Sequence, residues 1–135
     1  MAGKHAHETL QIRPDPAELA RTREFVRGRA AACGLDEEAR FRAALVVTEA
    51  VTNAMRHGRG SDAAEPIEVR CGCNGEGFLI EVGDCGRFRR RNRAPRGATH
   101  GRGLGLIERL TRRFDLEAST EGTRLRMLVG DQNRI

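Results

Sequence analysis

Tryptophan and tyrosine are absent from these 135 residues, and aromatics make up only 4% of them. The core must therefore rest on Leu, Val, Ile, Ala and Met rather than on rings. Long hydrophobic runs are missing as well. The longest unbroken one, Ala43 to Val47, is far short of the ~20 residues a membrane span requires. The opening stretch Met1 to Glu8 carries no apolar signal-peptide segment. Together these absences exclude a helical membrane protein and make the cytoplasm the expected location. Cysteine is limited to Cys33, Cys71, Cys73 and Cys85, with no four-ligand zinc spacing. Cys71 and Cys73 share one strand face, so free thiols in a reducing compartment are expected rather than two disulfides.

The net charge of +5 is concentrated in one place: Arg87, Arg89, Arg90, Arg91, Arg93 and Arg96 fall within ten residues. Such a run suits nucleic acid, an acidic protein surface or nucleotide phosphates. With Phe88 as its only aromatic, it lacks the interleaved rings that stack on bases, and direct nucleic-acid binding is the less favoured of these. The length fits one domain. We place it at residues 8–130, with 1–7 and 131–135 as flexible ends.

Thr9 to Arg13 alternates as a short strand, with Leu10 and Ile12 inward. Asp15 then caps a helix with Pro16 at its first position, Glu18 completes a capping-box pattern, and Gly34 ends it. Asp36 caps a second helix that runs to His57 and stops at Gly58. Phe41, Leu45, Thr48, Thr52 and Met55 are its expected packing stripe. Two strands, Pro66 to Cys73 and Gly77 to Asp84, turn at Asn74-Gly75. Phe88 to His100 has no period and is expected to be a mobile loop. A short helix from Leu104 to Arg113 follows, then a hairpin of Phe114 to Thr120 and Thr123 to Val129. The order β-α-α-β-β-loop-α-β-β predicts an α+β two-layer sandwich, with helices on one face of a mostly antiparallel sheet.

The chemistry lies at a few points on this frame. Glu49, Asn53 and His57 recur every four residues, which sets successive side chains about 40° apart on one helix face. A carboxylate one turn from an amide oxygen can activate a hydroxyl while the amide helps hold a hard cation; the same stripe can also be a solvated helix face. Asp84 falls in phase with the inward residues Phe78, Ile80 and Val82, and a carboxylate there must meet a donor or line a cavity. It is an acceptor suited to an exocyclic amine such as that of adenine. Gly101, Gly103 and Gly105 open the last helix, where backbone N–H groups can receive phosphate. Alone, such glycines often only make turns; the ordered set is the stronger sign.

Glu49-x-x-x-Asn53, then Asp84-x-Gly86, then Gly101-x-Gly103-Leu104-Gly105 resemble, in this order, the N, G1 and G2 boxes of the GHKL ATPases, which include gyrase, the histidine kinases and MutL. The compact length and the run Thr48 to His57 look most like the stand-alone anti-sigma-factor serine kinases, the RsbW-like branch. The resemblance implies a Bergerat ATP-binding fold with ATP and Mg²⁺ as cofactors. It implies Asn53 as the Mg²⁺ ligand, Asp84 as acceptor for the adenine amine, and Gly86 as the point where the base nears the backbone. Gly101, Gly103, Leu104 and Gly105 become the lid hinge and phosphate-binding helix start, Thr123 a contributor near adenine, and Glu49 the general base. It further implies a serine-protein kinase that phosphorylates a STAS-domain anti-sigma antagonist, sequesters a sigma factor and forms a homodimer. The arginine run beginning at Arg87 departs from the family's usual lid. That departure keeps two alternatives open, an ATP-gated interaction module with little catalysis and a basic nucleic-acid binder. Arg102 is a candidate for the γ-phosphate. His57 is treated as a helix-end residue, Cys85 as a small apolar filler, and the faint phosphoacceptor pattern of His7-Glu8 with Arg13-Pro14 is set aside for want of a helical hairpin to carry it.

Overall fold

Asp15 and Asp36 start the helical layer as their positions require. The Asp15 carboxylate accepts from the Ala17 backbone N–H at 3.0 Å, and that of Asp36 from Ala39 at 2.9 Å. Each such cap stabilises its helix by roughly 1 kcal/mol. The computed structural model describes residues 7–57, 66–84, 104–119 and 122–130, with His57, Asp84, Ala118 and Ser119 described through their backbone alone. The arginine run, Cys85, Gly86, Gly101, Arg102 and Gly103 lie outside these residues. The elements are β1 (Glu8–Ile12), α1 (Leu19–Ala32), α2 (Glu37–His57), β2 (Ile67–Asn74), β3 (Gly77–Asp84), α3 (Leu104–Leu110), β4 (Arg113–Ser119) and β5 (Gly122–Val129). A one-turn 3₁₀ segment, Pro16–Glu18, leads into α1. The strands pair antiparallel throughout in the order β1-β2-β3-β5-β4. This is the expected α+β sandwich: α1 packs on β1 and β2, α2 lies over β3 with contacts to β2 and β5, and α3 rests against α2 and β4.

Local details depart from expectation in instructive ways. Glu18 reaches past the cap, accepting from the Arg13 backbone N–H at 3.2 Å and from Arg21 Nε at 3.2 Å. The Arg13 N–H, helped by the Arg21 and Arg13 guanidinium groups and opposed by partial burial, holds its carboxyl below the usual carboxylate range. The β2–β3 turn is shifted by one residue. Asn74 pairs with Gly77, and the Asn74 amide oxygen accepts from the N–H groups of Glu76 and Gly77 at 2.8 and 3.1 Å. Gly77 has φ +148°, and a Cβ there would lie 2.8 Å from the Val129 carbonyl oxygen. At the end of α3, Thr111 Oγ1 donates to the Ile107 carbonyl, and β4 begins at Arg113 rather than Phe114.

The packing stripe of α2 is the larger correction. Phe41 is 60% exposed, and Leu45, Thr48, Thr52 and Met55 are only half-buried. The face against the sheet is Ala39, Ala43, Val46, Val47, Ala50 and Val51, each at most 2% exposed. Bulk misled the reading. Small residues let the helix axis approach the sheet, which supplies the volume itself through Ile67, Phe78, Ile80, Met127 and Val129. The cysteines are corrected as well: Cys33 and Cys73 are disulfide-bonded, with Cα atoms 5.8 Å apart, while Cys71 is a buried free thiol. Cys71 and Cys73 do share a strand face, but that face lies under α1, whose C-terminal cap is Cys33.

The far side of the sheet carries charge in register. Arg70 pairs with Glu81, Glu81 with Arg126, and Arg126 with Asp115 across four strands. Glu81 lies 3.4 to 3.8 Å from Arg70, Arg124 and Arg126. These arginines are about half exposed, so each pair contributes at most about 1 kcal/mol. Their alternation matters more as a reason for this face to stay in water.

Candidate functional site

The site is set by where α2 and β3 end. Arg42, in the second turn of α2, donates from its guanidinium to the Gly130 carbonyl at 3.0 Å. Gly130 follows Val129, which pairs with Phe78 near the start of β3. Helix and strand therefore begin at the same end of the sheet and run the same way. α2 lies against β3, so Glu49 and Asn53, in the C-terminal half of α2, are carried by the helix that covers the strand ending in Asp84. Glu49 sits one turn before Asn53. Both side chains are half-buried, on the flank of α2 beside its packing face. Among the described residues, no hydrogen bond or ion pair engages either one. Thr48 Oγ1, by contrast, is occupied by the Ala44 carbonyl at 2.8 Å.

Asp84 is the last residue of β3 and pairs with Ile67 of β2. On its other side the β3–β5 register runs to Gly83 opposite Arg124, and one further step places Asp84 opposite Thr123. The fold thus brings together two candidates that lie 39 positions apart in the chain. Gly83 is a participant the sequence reading passed over. A Cβ there would sit 3.0 Å from the Thr123 carbonyl oxygen, so its lack of a side chain lets β3 and β5 close up immediately beside Asp84. The available signal was a glycine inside an alternating strand next to an acidic residue.

The third component is the start of α3, which packs against α2. Leu104 is 8% exposed and Ile107 fully buried, so Leu104 serves as the anchor that seats this short helix in the core. Gly105 is exposed, and a Cβ there would meet nothing within 4 Å. Nothing in the described fold demands a glycine at that position. The described backbone thus sets the Asp84 end of β3 beside the Thr123 end of β5, with α2, which carries Glu49 and Asn53, packed on both strands and on α3. Gly86, Gly101 and Gly103, assigned to the same site, fall outside the described residues.

The fold is similar to that in the crystal structure of the RsbU and RsbW domains of Rv1364c from Mycobacterium tuberculosis, with TM-score 0.71 and 20% identity over 93% of this chain and 32% of that one. It is also similar to the Erythrobacter litoralis EL346 blue-light activated histidine kinase, with TM-score 0.60 and 21% identity over 88% of this chain and 42% of that one. The histidine kinase domain of that protein gives TM-score 0.52 and 20% identity, over 84% and 59% of the two chains. The chain thus spans between about a third and three-fifths of the lengths of these neighbours. At such identities the likeness concerns the fold. No curated protein matches the sequence. Residues 12–129, from the end of β1 to the end of β5, match the histidine kinase-like ATPase domain, and the chain belongs to that family.

Proposed function

We propose that this chain is an ATP-dependent protein-serine kinase that phosphorylates a STAS-domain anti-sigma antagonist and, through the same domain, sequesters a sigma factor. The observation that supports the reading is the match of residues 12–129 to the histidine kinase-like ATPase domain, with Glu49 and Asn53 on the helix that packs over β3 and β5, whose paired ends hold Asp84 and Thr123. Asp84 accepts from the adenine amine, with Thr123 beside it and Gly86 giving the base access to the backbone. Gly101, Gly103 and Gly105 carry the phosphates into the start of α3.

The donor set suits Mg²⁺. Among the described residues no three His, Cys, Asp or Glu side chains converge as a cage. Asn53 would hold Mg²⁺ through its amide oxygen, a hard oxygen donor of the kind the ion takes beside phosphates and waters, and the ion would supply neutralising charge to the phosphates. Glu49, one turn away, takes the proton of the attacking serine hydroxyl. Phosphoryl transfer needs mainly positioning and charge neutralisation, so one carboxylate and a few backbone donors are sufficient protein machinery. The likeness to a structure that contains an RsbW domain favours the anti-sigma branch. A homodimer and a cytoplasmic location belong to the same reading; among the described residues no helix is long and apolar enough to cross a membrane.

The test is a Mg·ATP titration of the protein beside its Asp84→Asn variant, followed by transfer of labelled phosphate to candidate STAS domains. Saturable binding that weakens sharply in the variant, with transfer to a serine, is the expected result. Arg87 to Arg96, standing where the family's lid differs, favours a second reading in which ATP gates partner affinity with little catalysis. Binding without transfer to any STAS domain selects it. Absent nucleotide binding together with a steep salt dependence of DNA or RNA binding would replace both with a basic nucleic-acid binder.

A further inference from the structure

The end of the sheet opposite the candidate site holds a second reactive group. Cys33 caps α1, its backbone N–H bonded to the carbonyls of Arg29 and Ala30 at 3.0 and 3.1 Å. Gly34, with φ +86°, then turns the chain toward α2. Cys73 lies next to the Asn74 turn that leads into β3 and pairs with Phe78. The bond between these two cysteines, 40 residues apart, joins the root of α2 to the root of β3. Those are the two elements whose far ends carry Glu49, Asn53 and Asp84.

Three observations bear on how this bond behaves. Cys33 and Cys73 are both half-buried, so small solutes can reach them. The backbone on each side is held independently, by the α1 cap hydrogen bonds and by the Asn74 amide, so opening the bond leaves the sulfurs near one another. The nearest competitor, Cys71, is fully buried, and burial pushes its thiol up to about 12, with Glu8 adding to the rise and Arg29 opposing it. A thiol that remains protonated is a poor nucleophile for disulfide exchange, so the pairing stays with Cys33.

We propose that Cys33 and Cys73 form a reversible oxidation site, a dithiol that a hydroperoxide closes into a cross-link and a small-molecule thiol reopens, and that this bond sets how firmly the α1–α2 turn is held on the β2–β3 hairpin. In closing, one thiolate attacks a peroxide oxygen, releasing water from hydrogen peroxide and leaving a sulfenic acid. The second thiol displaces the hydroxyl as a second water. Two thiols and one hydrogen peroxide thus give one disulfide and two waters, the sulfurs losing the two electrons that the O–O bond gains. Reopening consumes two small thiols and yields their disulfide.

The experiment uses the full chain, reduced with dithiothreitol, freed of it, and titrated with hydrogen peroxide. Digestion after Arg and Glu separates residues 30–37, 71–76 and 82–87, so Cys33, the Cys71/Cys73 pair and Cys85 fall in different peptides. Oxidation is expected to link residues 30–37 to 71–76, with fragmentation placing the bond on Cys73, and dithiothreitol is expected to reverse it without denaturant. The thermal midpoint of the oxidised form should exceed that of the reduced form by on the order of 10 °C. Hydrogen exchange at residues 33–37 and 73–77 should slow on oxidation. Cys33→Ser should lose this response and Cys71→Ser should keep it. Should Cys33→Ser fail to fold, the reduced and oxidised wild-type protein make the comparison alone. A bond to Cys71 or Cys85, a bond that opens only in denaturant, or a midpoint indifferent to oxidation would each overturn the proposal.

Discussion

The two ends of the sheet are built on opposite principles. At the hairpin end, polar groups are spent on the fold: Asn74 satisfies the turn, Arg42 donates to Gly130, Arg112 and Arg113 engage Glu76, and Cys33 bonds Cys73. At the other end, Glu49 and Asn53 are half-buried and engage no described group, and Asp84 and Thr123 close the strands side by side. The glycines divide in the same way. Gly77 is required by a positive φ and by the Val129 carbonyl, whereas Gly105 stands in open space. Where the fold consumes its own polar groups it gains order; Glu49 and Asn53, which engage no described group, are the ones it leaves open to a ligand.

The sharpest way to break this contrast is to remove the group assigned to chemistry. Glu49→Ala is expected to lower phosphotransfer by about 10²- to 10⁴-fold, the usual contribution of a general base, while Mg·ATP affinity stays near that of the parent. Single-turnover transfer beside a binding titration checks both halves. Undiminished transfer would remove Glu49 from the mechanism and make its lack of described partners incidental. The next effect probes the opposite end. The Cys71 thiol is raised by burial from 9.0 to about 12, so above pH 9.0 the unfolded thiol ionises while the folded one does not. Its contribution to stability is fully present below pH 9.0 and is lost as pH rises toward 12. The slope is about 1.4 kcal/mol per pH unit. The background in that window is small, because the chain has no tyrosine, a single lysine, Lys4, and one further thiol, Cys85, outside the Cys33–Cys73 bond. Denaturant titrations of the oxidised protein should show the slope, and Cys71→Ala should flatten it.

Much of the frame was legible because it rests on local rules. Asp15-Pro16, Asp36, Gly34 and the Asn74 turn each announce an element boundary through one residue's chemistry, and period two located Phe78, Ile80 and Val82 on the inner face. What was not legible depended on distance between layers. The inner face of α2 was read from its large residues, Phe41 and Leu45, although close approach to the sheet favours Ala43, Val46 and Ala50. The Cys33–Cys73 bond needed α1 to be laid over β2 before the two sulfurs had any relation. The adjacency of Asp84 and Thr123 became visible only with the strand order, since β5 inserts between β3 and β4. For the candidate site, motif order supplied the residues, and the fold adds the neighbouring strand ends of Asp84 and Thr123 beneath the helix that carries Glu49 and Asn53.

The glycines give the finest test of the comparison. Gly77→Ala places a side chain at φ +148° and 2.8 Å from the Val129 carbonyl oxygen. It should cost about 1–3 kcal/mol, seen as a lower denaturation midpoint with an unchanged slope. Gly105→Ala should do the reverse. Its new methyl meets no neighbour within 4 Å, and the residue lies in the first turn of α3. There alanine should stabilise the helix by up to about 1 kcal/mol, since glycine carries the greater backbone entropy loss. If phosphates approach the backbone at this turn, the same methyl occupies their path, and Mg·ATP affinity should fall even as the midpoint rises. Opposite signs in the two measurements separate a glycine kept for a ligand from one kept for the fold. A variant that gains stability and binds nucleotide as the parent does would place the phosphates elsewhere and leave Gly105 without a functional reason.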